Sequence, residues 1–443
     1  MRKKEFLRAA AFLLLFVLCF RPVARLFSQP EDRRNYQWIG GFYAEPEGSL
    51  DAVYIGSSNC YAFWNPLLAW ESHGIAVYPY ASNDQPFAVT AHLITEVRKT
   101  QPDALILVNL NSLRDTVINV NNMHYLLDNM PFSWNKLALT RHLCQEEGLS
   151  LGDSMEFYLP IIRYHERWSE LKQKDFDFTF NGLKGASNYS THMQNSQDVT
   201  ELYKFGTAPK TPESAVVQMV NELLDYCDEN QVNILFVTVP RAERDYDTVD
   251  EFLYLNQRIA ERGYPVLDLM DKLQETGIEP AKDYYNDHHT NIHGSIKFTR
   301  YLADYLVANY GFGNKRGDAR YESWEAGRKK YSGYMDGYVL DLEYDGSSRN
   351  YALEEPAALK AKKQEGTVVL TWQGVEGADG YAVYKKTGSG RWKRAGETME
   401  AAWIDEAPAK ESTITYRVVP MDTGDSGEIA YGKFAYKGIS VKT

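Results

Sequence analysis

Five short apolar runs punctuate the N-terminal two thirds of the chain: "DAVYIG" (51–56), "IAVYPY" (75–80), "DALILVNL" (103–110), "VNILFVTVP" (232–240) and "YPVLDL" (264–269). Each is nearly continuous in hydrophobics, the pattern of strands covered on both faces. Helical periods lie between them. "SAVVQMVNELLDYCDEN" sets Val217, Val220, Leu223 and Leu224 on one stripe, and a closing helix is expected over 292–310. Strand, helix and strand in succession predict right-handed crossovers and a parallel sheet, an α/β fold.

From Pro356 the period changes to two. In "TVVLTWQGV", "GYAVYKKTGSGRWKRAG" and "TITYRVVP" short strands alternate, with Val368, Leu370 and Trp372 on one face and "KTGSG" as a hairpin turn, which predicts a β-sandwich. The expected organisation is a signal anchor and stalk (1–35), an α/β domain (36–312), an extension and linker (313–355) and the sandwich (356–443). An insertion of about 115–212 separates the third and fourth strands. Its "YLPIIRYHERWSELKQKDF" reads as helical and its "GASNYSTHMQNSQDVTELYKF" as a polar loop. Insertions of that size in compact domains commonly cap a site.

Composition narrows the function. At 443 residues and a formal net charge of -12, the chain is long enough for two domains and repels a phosphate backbone, so nucleic acid is not an expected partner. Arg2, Lys3, Lys4 and Arg8 precede an apolar run over 9–20, the layout of an export signal with its basic end in the cytoplasm. The run falls short of the ~20 residues of a spanning helix. Arg21, Pro22 and Arg25 interrupt its exit and no small-x-small cleavage site follows. The favoured reading is an uncleaved single-pass membrane anchor, N-in, with the domains outside; the alternative is a cleaved, secreted form. Of the four cysteines, the three outside the apolar run, Cys60, Cys144 and Cys227, are odd in number and irregular in spacing and suggest neither a disulfide framework nor a zinc site.

Two stretches carry candidate chemistry. In "DAVYIGSSNCY" a buried strand ends in Gly56-Ser57-Ser58, which brings Ser58 to the C-terminal mouth of a parallel sheet, where open α/β folds bind ligands. The competing reading is a small-residue turn with serine as a helix N-cap. In "DYYNDHHTNIHGSIKFTRYLADYL" (283–306), His288, His289 and His293 follow Asp283, Asn286 and Asp287. Imidazole accepts a serine proton near neutral pH, and an oxygen on its other nitrogen fixes the tautomer. The spacing offers no coherent metal ligand set, and no cofactor is expected.

The blocks "AVYIGSSNCYAFWNP", "IAVYPYASNDQP" and "DHHTNIHGSIKFTRYLADYL" resemble the SGNH (GDSL-type) hydrolase superfamily over roughly 50–310. The similarity is to its membrane-anchored, envelope-associated bacterial members, including the teichoic acid D-alanylation family. Cys60 stands where the elbow of the other α/β-hydrolases has a glycine. The resemblance implies a three-layer, flavodoxin-like sheet, with Ser58 as nucleophile and His289 as base. Asn291 and Gly294 continue its last block. For the oxyanion it implies Ala81, in place of a glycine, and Asn111, with Asn109 replacing a further glycine; Asn83 competes with Asn111. Where the family carries aspartate this chain has Asn286, with Asp287 next. The expected outcomes, in order, are that Asp287 takes the orienting role, that Ser58 and His289 act as a dyad, or that the enzyme is slow. The implied activity is an extracytoplasmic serine esterase or O-acyltransferase on an acylated polysaccharide or teichoic acid-like glycan. A catalytically silent envelope protein is the alternative. His165 and Arg241 either line the site or only pack and solvate. The motifs "LTW", "GADGYAVYKK", "WIDEA" and "TYRVVP" make 357–443 similar to a fibronectin type III domain, a resemblance that speaks to fold and says little about ligand; an envelope protein is the partner considered for this domain.

Overall fold

The computed structural model describes residues 3–27, 34–114, 118–176, 182–190, 208–240, 246–270, 272–329, 331, 348–349, 352–388, 392–424, 429–435 and 438–443. It divides into two compact units, Met1–Tyr189 with Met193–Arg328, and Ser190–His192 with Lys329–Thr443. Much of the expected insertion loop, and Arg241, lie outside the described residues.

In the first unit all five predicted runs are strands: β1 (Ala52–Gly56), β2 (Val77–Ala81), β3 (Leu105–Asn109), β4 (Ile234–Thr238) and β5 (Val266–Asp268). They form one parallel sheet in the order β2-β1-β3-β4-β5. β1 to β4 are buried at every position, as continuous apolar runs require. β2 is an edge strand, which is why Pro79 is tolerated in it. The chain leaves β1 towards β2 and returns across it to β3. This reversal lies at the C-terminal ends of β1 and β3, which lead to Ser58 and Asn111, the position where open α/β sheets bind their ligands.

Gly56 ends β1, and its φ is not positive. Its requirement is space. A Cβ there would lie 2.7 Å from the Asn109 Cβ and 2.7 Å from the Cys60 Sγ, both fully buried. The closing helix spans Ile292–Tyr310, with Asn291 as N-cap accepting from the N–H groups of His293 and Gly294. Gly294 is needed because a Cβ would meet the Asp283 carbonyl oxygen at 2.3 Å.

The insertion is helical over Val120–Leu127, Trp134–Glu146 and Leu151–Tyr158. The segment expected as one long helix is instead Ile161–Tyr164 followed by 3-10 turns at His165–Ser169 and Gln173–Phe176. Residues expected to form a mere extension also belong to this unit's core. Tyr321 and Trp324 are buried; the Trp324 indole donates to Glu45 Oε2 at 2.8 Å, and Lys184 Nζ lies 2.6 Å from Glu45 Oε1. Among the described residues, no helix is long and apolar enough to cross a membrane; the N-terminal helix spans Lys3–Phe27.

The second unit is a two-sheet β structure. Strands β6 (Ser348–Arg349), β7 (Lys360–Gln364), β8 (Thr367–Thr371), β9 (Gly380–Thr387), β10 (Lys393–Thr398), β11 (Ala402–Asp405), β12 (Thr413–Thr423), β13 (Ile429–Tyr431) and β14 (Ile439–Lys442) make sheets ordered β11-β8-β7 and β10-β9-β12-β13-β6, with β14 also on β12. Val368, Leu370 and Trp372 from one sheet pack on Tyr381, Val383, Ile414, Tyr416 and Val418 from the other, which makes a sandwich. On the other face of β12 the buried Arg417 guanidinium lies 3.9 Å from the Trp392 ring centroid.

The clash at Gly56 sets a stability test. Gly56→Ala is expected to destabilise the α/β unit by about 1–3 kcal/mol, the usual cost of overpacking a core, read as a lower denaturant midpoint.

Candidate active site

Ser58 is the first residue of a six-residue helix, Ser58–Phe63, that begins directly after β1 and Ser57. Ser57 holds the N-cap position but makes no side-chain cap bond, so the turn is not organised by a capping serine. His289 sits in a tight loop closed by the bridge between Tyr284 and Thr290 and by a bond from the Tyr285 N–H to the His289 carbonyl, 2.9 Å. His289 Nε2 lies 2.7 Å from Ser58 Oγ.

Behind the ring, Asn286 Oδ1 lies 3.0 Å from His289 Nδ1, and it also accepts from the N–H groups of His288 (2.9 Å) and His289 (2.8 Å). Two backbone donors on one side-chain atom identify that atom as the amide oxygen. The oxygen therefore accepts from Nδ1–H, which leaves Nε2 unprotonated to receive the Ser58 hydroxyl proton. The sequence expectation that Asp287 would take this role is corrected. Its side chain is 55% exposed and its Oδ1 is 3.5 Å from the Nε2 of the neighbouring His288. Asp283 is buried against Lys297, at 2.7 Å.

Four bonds lock the two halves together. Asn59 Nδ2 donates to the His288 carbonyl at 2.7 Å, and the Thr290 hydroxyl donates to the Ala62 carbonyl at 3.0 Å. The Ser295 and Thr299 hydroxyls donate to the Phe63 carbonyl at 3.1 and 3.3 Å. The last carbonyls of any helix lack intrahelical partners. Here the histidine segment supplies them.

The expected oxyanion residues fare differently. Ala81 ends β2 in register with Gly56, its φ is not positive and it is fully buried, so the methyl that replaces glycine's hydrogen fits. Asn111 does not reach the serine as a free donor. Its Nδ2 donates to the Val239 carbonyl (3.1 Å) and its Oδ1 accepts from the Val239 N–H (2.8 Å), which clamps the end of β3 to the end of β4. Asn109 Nδ2 donates to the Tyr54 hydroxyl at 3.0 Å. Asn83 is tied to the serine's helix through Tyr61: its Oδ1 accepts from the Tyr61 hydroxyl, and its N–H donates to Asn35 Oδ1 at 3.0 Å. His165 lies exposed in its 3-10 turn with Nδ1 2.7 Å from the Ile162 carbonyl oxygen.

Tyr61, Asn59 and Tyr189 were missed in the sequence. Tyr61 stands three residues after Ser58 on one helix, a spacing that places two side chains on the same face and was its available signal. Burial pushes its phenol well above the usual range, Tyr189 adds to this and a hydrogen bond with Ser58 opposes it, so Tyr61 stays a neutral donor. Tyr189, from the insertion, has its ring centroid 5.9 Å from that of His289, and burial raises its phenol as well. Among the described residues there is no cluster of histidine, cysteine and carboxylate groups able to hold a metal ion.

No family model and no curated protein matches the chain. Among solved structures it is similar to an Fn3-like protein from Clostridium thermocellum, at 24% identity over 19% of this chain and 90% of that one, with a TM-score of 0.17. It is similar to an FN3 domain of human collagen XX at 16% identity, over 22% of this chain and 99% of that one, TM-score 0.17. The first of the solved structures, titin kinase and its flanking domains, matches at 16% identity and TM-score 0.17 over 22% of this chain and 18% of that one.

Three substitutions test these placements. Asn111→Ala buries the Val239 N–H and carbonyl without partners and is expected to cost about 2–4 kcal/mol in denaturant unfolding. Asn286→Asp puts a carboxylate on Nδ1 and is expected to speed fluorophosphonate labelling of Ser58 roughly tenfold. Asn286→Leu, which removes the acceptor, is expected to slow it about a hundredfold.

Proposed function

We propose that the first unit is an SGNH-type serine esterase or O-acyltransferase acting on acyl groups of a cell-envelope polysaccharide. The observation that carries this reading is the 2.7 Å contact between Ser58 Oγ and a His289 Nε2 whose tautomer Asn286 fixes. Its position beside the strand-order reversal of the sheet supports it further.

As Ser58 Oγ bonds to the ester carbonyl carbon, its proton passes to His289 Nε2. The carbonyl oxygen takes the negative charge and faces the Ser58 N–H, which has no intrahelical acceptor, and the Ala81 N–H. Asn83, its Oδ1 engaged by Tyr61, has Nδ2 to donate. Collapse breaks the bond to the alcohol oxygen, which leaves with the proton from Nε2. Water or a sugar hydroxyl then gives its proton to Nε2 and attacks the acyl-serine carbon. Ser58 regains its proton, and an acid or a transferred ester departs.

The glycan substrate and the extracytoplasmic location rest on the family resemblance and on the basic, then apolar, N-terminus. The sandwich unit serves in this reading as a contact module for an envelope partner. One observation favours a second reading, a catalytically silent glycan-binding protein: the imidazole is backed by a neutral amide, which orients it but cannot balance its charge.

The full chain is expected to be labelled by a fluorophosphonate probe and to hydrolyse a small acetyl ester, with both lost in Ser58→Ala and His289→Ala. Equal labelling of wild type and Ser58→Ala excludes the enzyme.

A further inference from the structure

Beside the serine and histidine stands a pair of stacked phenols that the ester chemistry does not use. The Tyr189 and Tyr285 rings are nearly parallel, 7° apart, with centroids 4.4 Å from each other. Tyr189 covers one face of Tyr285, yet Tyr285 remains 38% exposed. Both are tied to the histidine segment through the backbone. The Tyr285 N–H donates to the His289 carbonyl at 2.9 Å, and the Ile292 N–H donates to the Tyr189 carbonyl at 2.9 Å. These bonds fix the backbone at both tyrosines relative to the histidine segment.

We propose that Tyr285, backed by Tyr189, is a stacking platform for the pyranose ring that carries the acyl group. The proposal rests on the esterase or acyltransferase reading of Ser58 and adds the subsite that selects the sugar. A pyranose presents a patch of C–H groups that lies flat on an aromatic face, while its hydroxyls point outwards to a polar rim. The rim is present. Asp287, released from the orienting role by Asn286, has a carboxylate 55% exposed two residues along the same loop, and the His288 side chain is 39% exposed. A carboxylate accepts from sugar hydroxyls, repels phosphate and is a poor neighbour for an aliphatic acyl chain. The rim therefore suits the hydroxyls of a sugar better than a phosphate or an aliphatic acyl chain. The rigid backbone ties reduce the ordering lost on binding.

The test uses the full chain, an acetylated methyl glucopyranoside and ethyl acetate, which has no ring. Tyr285→Ala is expected to raise KM for the glucoside about tenfold relative to its effect on ethyl acetate, and Tyr285→Phe to restore it. Ser58→Ala is expected to bind the glucoside with saturation transfer to its ring protons, a signal lost in the Ser58→Ala, Tyr285→Ala double variant. An equal change for both esters, or none for either, overturns the platform, as does saturation confined to the acetyl methyl. If neither ester is turned over in a Ser58-dependent way while Tyr285-dependent saturation persists, the catalytic reading fails and the sugar platform stands.

Discussion

The end of one very short helix holds this site together. Ser58–Phe63, like any helix, cannot satisfy its own C-terminal carbonyls. The chain places Thr290, Ser295 and Thr299 hydroxyls on Ala62 and Phe63, while Asn59 reaches back to the carbonyl of His288. Each such bond contributes only about 1 kcal/mol net, but leaving a buried carbonyl without a partner costs more. The capping therefore fixes which residues lie opposite the helix. The Ser58–His289 contact, between residues 231 apart in sequence, follows from it.

The same loop geometry separates two jobs that a carboxylate usually does at once. Asn286 Oδ1 gathers two backbone N–H groups and the imidazole Nδ1–H, which fixes both the loop and the tautomer. Charge balance is left undone. Asp287, one residue on, is turned to the exposed side of the loop, next to His288. An amide is a reasonable occupant of a position that must accept three N–H groups, because it does so without burying a charge.

Asn111 shows how a motif position can be diverted to support. Its side chain mimics a strand partner for Val239, closing the gap between β3 and β4 where both leave the sheet. In its absence from the serine, polar groups there come from the segment after β2 and from the helix itself, through Asn83 and Tyr61. The insertion contributes Tyr189, so the site draws on four separated stretches of chain.

The sequence alone determined the sheet. All five continuous apolar runs became parallel strands and the 292–310 period became a helix, because burial on both faces leaves a strong, local mark in composition. The alternating runs after Pro356 became sandwich strands for the same reason, with Val368 and Leu370 facing the core. The positions of Ser58 and His289 on their elements were equally readable, being set by strand ends and helix starts. Tertiary structure alone decided which neighbour of His289 faces the ring, whether Asn111 is free to donate, and that Tyr189 stands beside the imidazole. Those choices depend on hydrogen bonds between residues far apart in sequence, where one residue's shift in a loop reverses the direction of a side chain and no periodicity records it.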